Sequence, residues 1–330
     1  MKRRQFTMSF GAMTATCALS WSRTGLAQLA TDLPRLGYVY TGPKAAAASR
    51  VDAIVRGLRE VGFEAPTQVE MVVRNTDGDP ALIAPMVEEV LTKNVGVFVA
   101  NGPLVLQVAR NLPGGVPIVA IDLETDPVAS GLAASLAHPG GNITGVFMDF
   151  PDFTPKFLEL LLDSNAKLFR LAVLWDPVTG PLQMEAVKSA ASAKKIQVNI
   201  LKVERTSDFE TAFAAAKQDH DDAIIILSSP LIAPNVQILA DLALKYRLPA
   251  ISLFPDFARA GGLLAYGPNI TELFRLIGNI SGKVLRGAKP ADLPIERPTK
   301  FELVLNLRTA KALDLSIGTG LLLRVDEVIE

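Results

Sequence analysis

The sequence predicts an α/β fold made of two consecutive units, each a parallel sheet flanked by helices. Three observations predict it. From residue 33 onward, short apolar runs alternate with longer segments whose apolar residues recur at helical spacing. The short runs are apolar almost throughout, as strands are when helices cover both faces of a parallel sheet. The whole rhythm then restarts after Phe150, so 330 residues divide into two units of similar size.

The elements follow in order. RLGYVY (35–40) reads as the first strand. The segment 45–63 has Val51, Ile54, Val55, Leu58 and Val61 at helical spacing and stops at Gly62, a usual helix end. Strand 69–73 comes next. Helix 79–94 opens on Asp79-Pro80, in which the aspartate caps and the proline fits the first turn. Strand 95–100, helix 103–112 and strand 116–121 complete the first unit. The stretch GLAASLAHPGGNITGV (131–146) closes it, with a tight turn at Pro139-Gly140-Gly141 and a short edge strand at NITGV. His138 reads as a turn residue.

The second unit begins with helix 153–164. Strand 170–175, helix 182–195, strand 197–203, helix 207–218, strand 222–227, helix 235–246 and strand 248–253 follow. The tail continues the pattern with a Tyr-Gly-Pro-Asn turn and helix over 265–287, a proline-rich crossover over 287–300, and a strand and short helix over 301–315. A tail of this kind implies that the chain passes between the units more than once. DHDD (219–222) joins a helix to a strand and reads as a solvated loop rather than a metal site.

Composition excludes several classes. Net charge is −1, which gives no whole-chain attraction for nucleic acid or an anionic membrane. Two histidines and one cysteine leave no material for zinc, iron–sulfur or disulfide frameworks. The N-terminus has a basic start (Lys2, Arg3, Arg4), a mildly apolar stretch and small residues at Gly25 and Ala27. That is an export signal over 1–27, cleaved near Ala27. RRQF also fits a twin-arginine signal, and the choice between that route and the general one stays open. Cys17 lacks a lipobox around it. Losing Lys2, Arg3, Arg4 and Arg23 leaves 29 basic and 34 acidic residues, net −5, and no cysteine. Such a chain suits the bacterial periplasm.

The long stretches DPVASGLAASLAHPGGNITGV, RLPAISLFPDFARAGGLLAYGPN and GAKPADLPIERPTKFELVLNLRTAKALDLSI resemble the ABC-transporter substrate-binding proteins of the tryptophan/tyrosine-uptake-related family. The resemblance runs from about Leu33 to Glu330. It implies a type I periplasmic binding protein, with two Rossmann-like lobes joined by a three-crossover hinge. Lobe one would comprise 33–147 plus about 267–297, and lobe two 148–266 plus about 298–330. It further implies a small-molecule ligand in the cleft and an ABC permease of the inner membrane as partner. The chain reads as a monomer that needs no cofactor and binds no nucleic acid.

In open α/β sheets, ligands meet the residues just past the C-terminal strand ends. In lobe one these are Tyr40, Thr41, Asn101, Gly102, Asp122 and Glu124; in lobe two, Trp175, Thr179, Ser228, Ser229, Phe254 and Asp256. Tyr266, at a crossover in AYGPN, faces either ligand or hinge. Asn101-Gly102 beside a helix start offers a carboxylate cradle with free N–H groups. Ser228 and Ser229 offer the same opposite, or cap a helix. Trp175 forms an aromatic wall or ends its strand in the core. Aromatic walls with a few placed acids suit an amino acid or a related apolar carboxylate.

The competing functions are few. No Gly-x-Ser-x-Gly, Walker or Gly-x-Gly-x-x-Gly motif marks an enzyme, although a pair of carboxylates remains a conceivable catalyst. A repressor needs a basic helix-turn-helix ahead of the first lobe, where this chain has an export signal. A ligand sensor serving a signalling receptor is the remaining alternative.

Overall fold

The computed structural model describes residues 33–42, 44–148, 150–164 and 167–330; the expected export signal lies outside them. The first strands and helices are β1 (Arg35–Tyr40), α1 (Lys44–Glu60), β2 (Glu70–Asn75), α2 (Ile83–Leu91), β3 (Val97–Asn101), α3 (Pro103–Asn111), β4 (Ile118–Asp122) and β5 (Ile143–Phe147). Their strands form one all-parallel sheet in the order β2-β1-β3-β4-β5. Strands β3, β4 and β5 are almost wholly buried, which explains their unbroken apolar text. ITGV of NITGV lies in the edge strand β5, which runs one residue further to Phe147, and Gly140 in the turn before it has φ +76°, which glycine adopts freely.

The second set is α4 (Phe150–Asp163), β6 (Arg170–Trp175), α5 (Leu182–Ala193), β7 (Gln197–Lys202), α6 (Asp208–Gln218), β8 (Ala223–Ile226), α7 (Val236–Lys245), β9 (Ala250–Ser252), α8 (Pro255–Arg259) and β10 (Leu264–Pro268). The chain continues with α9 (Ile270–Leu285), β11 (Phe301–Asn306), α10 (Leu307–Ala312), α11 (Thr319–Leu322) and β12 (Glu327–Ile329). The second sheet has seven strands, β12-β11-β10-β9-β8-β6-β7. It is parallel except where β10 and β11 pair antiparallel. The exception has a topological cause. Phe301, the first residue of β11, sits opposite Pro268, the last of β10, so the chain re-enters the sheet at the end where it left.

Between those two points the chain serves the five-stranded sheet. Helix α9 packs along α1 so closely that a Cβ on Gly57 would lie 1.8 Å from Arg275 O, and one on Gly278 would lie 2.0 Å from Ile54 O. The segment after α9 then runs beside β5: Glu296 N–H donates to Gly145 O (2.8 Å) and Phe147 N–H to Glu296 O (3.0 Å). Three passages therefore link the sheets: after β5, between β10 and α9, and between Glu296 and β11. Two of them touch, Asn269 N–H donating to Lys300 O (2.9 Å). Tyr-Gly-Pro-Asn is not the expected turn. Its first three residues end β10, and Asn269 caps α9 by accepting from Glu272 N–H (2.7 Å).

Candidate functional site

A cavity of about 300 Å³ opens between the C-terminal ends of the two sheets. That lies within the usual range for small-ligand sites, roughly 300–1,000 Å³. Strand β1 delivers Tyr40, Thr41 and Gly42 to it, β3 delivers Asn101 and Gly102, and β4 delivers Ile121, Leu123 and Glu124. Across the gap, the loop after β8 contributes Ser229 and Pro230, and the segment after β9 contributes Phe254, Pro255 and Asp256. Of the residues expected at the strand ends, the structure brings Tyr40, Thr41, Asn101, Gly102, Glu124, Ser229, Phe254 and Asp256 to the border of this cavity.

Local bonds fix these side chains. Asn75 Nδ2 donates to Tyr40 O (3.2 Å) and Gly42 O (2.9 Å), tying down the loop after β1. Asn101 Nδ2 donates to Thr41 Oγ1 (3.1 Å). Gly102 has φ +83° and caps α3, but its N–H is already given to Ile121 O (2.7 Å), so it is not part of a free cradle. In the first turn of α3, the N–H groups of Leu104 and Val105 have no acceptor within the helix, and Leu104 borders the cavity. Ser229 Oγ accepts from Leu231 and Ile232 N–H (both 3.1 Å), so its hydroxyl caps the turn that it starts while its residue lines the cavity.

Five expected contacts lie elsewhere. Trp175 does not border the cavity: it packs against the core, and its Nε1–H donates to Gly180 O (3.0 Å). Thr179 Oγ1 donates to Asp176 O (2.9 Å) within the same turn. Tyr266 stacks on Phe153 (centroids 5.0 Å apart, planes 5° apart) and on Phe301 (5.6 Å). Of its two expected orientations, it takes the one at the passages between the sheets. Asp122 is buried behind the cavity wall, where Oδ1 accepts from Glu124 N–H (2.9 Å) and Thr125 N–H (3.0 Å). Ser228 is held by Gln183 through its N–H (2.9 Å) and C=O (2.8 Å), and its hydroxyl reaches Glu124 rather than the open space. DHDD also departs from a solvated loop: Asp221 is buried, accepts from Asn199 Nδ2 (2.8 Å), and lies 3.7 Å from Arg170 Nε.

The sequence reading missed one charged residue. Arg50, on α1, reaches into the cavity with its side chain only 15% exposed. It bonds the Tyr40 hydroxyl, lies 5.7 Å from the Phe274 ring centroid, and lies 3.7 Å from Asp256 Oδ2 across the gap. Burial pushes the Tyr40 hydroxyl up, and Arg50 offsets part of that rise. Also missed were Ile83 before the cleft face of α2, Ile270, Leu273 and Phe274 on α9, and Ala233, Pro234 and Val236 leading into α7. A usable signal existed. In right-handed βαβ units, helices start at the edge where strands end, so their first turns face the cleft too.

Glu124 is the electrostatic oddity. It is buried, its Oε1 accepts from Ser228 Oγ, and its Oε2 accepts from Leu123 N–H (3.2 Å). Burial first, and the neighbouring Asp122 second, push its carboxyl up to about 8. Burial raises Asp122 as well. Among the described residues Asp122 Oδ2 has no hydrogen-bond donor, and a protonated Glu124 carboxyl would supply one. Two carboxyls so buried and so close disfavour carrying two charges together, and the shift favours a shared proton. Glu124–Ser228 also crosses from one sheet's loops to the other's.

Comparisons place this geometry among known proteins. The profile of a family described as ABC transporter substrate binding protein matches residues 44–329. A curated protein named tyrosine-binding protein, from Clostridioides difficile (strain R20291), is 23% identical over 79% of this chain and 75% of its own. A solved structure from Streptococcus pneumonia, described as an ABC domain in complex with L-Trp, superposes with a TM-score of 0.81 at 22% identity, covering 90% of this chain and 100% of that one. A ligand-free, open substrate-binding protein from Clostridium difficile gives 0.67 at 21% identity, covering 90% of this chain and 99% of that one. No helix among the described residues is long and apolar enough to cross a membrane.

Proposed function

This chain belongs to the family of ABC transporter substrate-binding proteins, with the type I periplasmic binding fold, and from that premise we propose how it works. The cavity between the sheets captures a small carboxylate with an apolar or aromatic body. The observation that carries this is a half-buried guanidinium, Arg50, at one side of an otherwise largely apolar space. A guanidinium is matched to a carboxylate in charge and in planar fork geometry. The aromatic rings of Tyr40, Phe254 and Phe274 suit the rest of such a molecule. The tyrosine and tryptophan ligands named for the two relatives have the same two parts.

Capture works by hinge closure. Three chain passages permit bending about one axis and restrict other rotations. A ligand favours the closed arrangement only by touching both sides, and residues from both sides border the cavity. Loaded and closed, the monomeric protein delivers its ligand unchanged to an ABC permease. The chain is exported and cleaved near Ala27, which N-terminal sequencing of the secreted protein checks; retention of Met1 rules that out. The function is tested by a thermal-shift screen of the mature protein against small carboxylates and amino acids, with scattering on any hit. A raised melting temperature and a smaller radius of gyration are expected. A hit that leaves the radius unchanged eliminates closure, and a chemically altered ligand recovered afterwards eliminates simple transport.

A further inference from the structure

The polar groups that border the cavity are unevenly committed, and this bears on what the ligand carries besides its carboxylate. Arg50 is nearly buried, and its nearest carboxylate is 3.7 Å away. Two carboxyl groups could in principle receive an ammonium. One is Asp256, but its side chain is 54% exposed at the edge of the gap. Its Oδ1 accepts from Arg259 Nη1 (3.1 Å), and its Oδ2 faces Arg50. The other is Glu124, whose two oxygens already accept from Ser228 and Leu123. Burial first and the neighbouring Asp122 second push its carboxyl up to about 8, toward the uncharged form. Among the described lining residues, the interior therefore presents one cation, Arg50, and two carboxyl groups that already have partners. An ammonium placed there would lose its water shell without gaining a charged partner, which is costly.

We propose that the cavity takes a monocarboxylate with an apolar or aromatic body and no ammonium group, its carboxylate held by Arg50. This rests on reading the cavity as the ligand site and narrows the ligand from amino acids to their deaminated kin. The ammonium-free acid leaves Asp122, Glu124 and Ser228 in the bonding pattern they already have. For Glu124 to receive an ammonium it would have to ionise next to Asp122, and for Asp256 to do so it would have to leave Arg259 and Arg50. The selectivity is thus set by a residue pair at the end of β4, not by the shape of the apolar wall.

The experiment is titration calorimetry of the mature protein at pH 7 with matched pairs. L-phenylalanine, L-tyrosine and L-tryptophan are each set against the acid in which hydrogen replaces the amino group. Each titration is repeated in two buffers of different ionisation heat to count protons. For at least one pair, the deaminated acid should bind about tenfold or more tightly than its amino acid, on the scale of one buried, unmatched polar group. Its binding should release no proton. If an amino acid binds as tightly as its partner acid, or tighter with release of a proton, the selectivity is overturned while the reading of the cavity as a carboxylate site stands. If none of the six binds, that reading falls as well.

Discussion

The two walls of the cavity differ in kind. The wall built on the five-stranded sheet carries the charge and hydrogen-bonding capacity: Tyr40, Arg50, Asn101 and Glu124, backed by α9. The wall on the seven-stranded sheet is mostly smooth: Pro230, Ala233, Pro234, Val236, Phe254 and Pro255, with Asp256 at the edge and the Ser229 hydroxyl spent on capping. Prolines have no N–H to offer and little freedom to lose. On the reading proposed above, the first wall recognises the ligand and the second covers it. Covering still matters, because exclusion of water strengthens every polar contact beneath it.

This asymmetry can be broken experimentally, and the largest effect should come from the recognising wall. Arg50→Met keeps bulk and removes the cation. It should weaken carboxylate binding roughly 100-fold, about 3 kcal/mol, as expected for losing a poorly hydrated guanidinium–carboxylate contact. Calorimetry checks this, and a change below about threefold would move recognition to the other wall. Next comes the cover. Phe254→Ala removes its principal ring and should cost about 1.5–3 kcal/mol of binding, on the scale of a buried aromatic side chain. The loss should appear mainly as faster release, measurable by stopped flow.

A third effect needs no change of the wall. Glu124 titrates at about 8 in the folded protein, against an ordinary value of 4.5. Between these values the folded state holds a proton that the unfolded chain has released. Its contribution to stability is complete below the lower value and is lost as pH rises toward the higher one. The melting temperature should therefore decline from about pH 5 to about pH 8, and Glu124→Gln should flatten that decline. A rising profile that the substitution leaves untouched would refute the protonated pair. The smallest effect on binding is expected at Trp175. Trp175→Ala should lower the melting temperature, since the ring packs on the core, yet change affinity less than about twofold, because independent sites act additively. A tenfold loss of affinity would return Trp175 to the cavity.

Much of the fold was legible in the sequence because strands buried on both faces leave unbroken apolar runs, and helices leave a periodic stripe. RLGYVY and RLAVLW are β1 and β6 to the residue. The polar strand-end residues Tyr40, Asn101 and Glu124 were legible too, because where a strand ends in an α/β unit is itself a sequence property. What the text could not carry was direction across the gap. Trp175 ends β6 and Phe254 lies two residues past β9, yet the indole N–H finds Gly180 O and Trp175 stays off the cavity, while Phe254 borders it. Arg50 and Phe274 are 224 positions apart by number and read as ordinary helix residues. They meet because Gly57 and Gly278 let α1 and α9 touch. The sequence by itself determined the alternation of elements, the two sheets and which loops reach the cleft. Tertiary structure decided the antiparallel pairing of β10 with β11, the burial that pushes up the Glu124 carboxyl, and the arrival of Arg50 at the cavity. These depend on the distance between groups far apart in the chain, and local periodicity contains no such term.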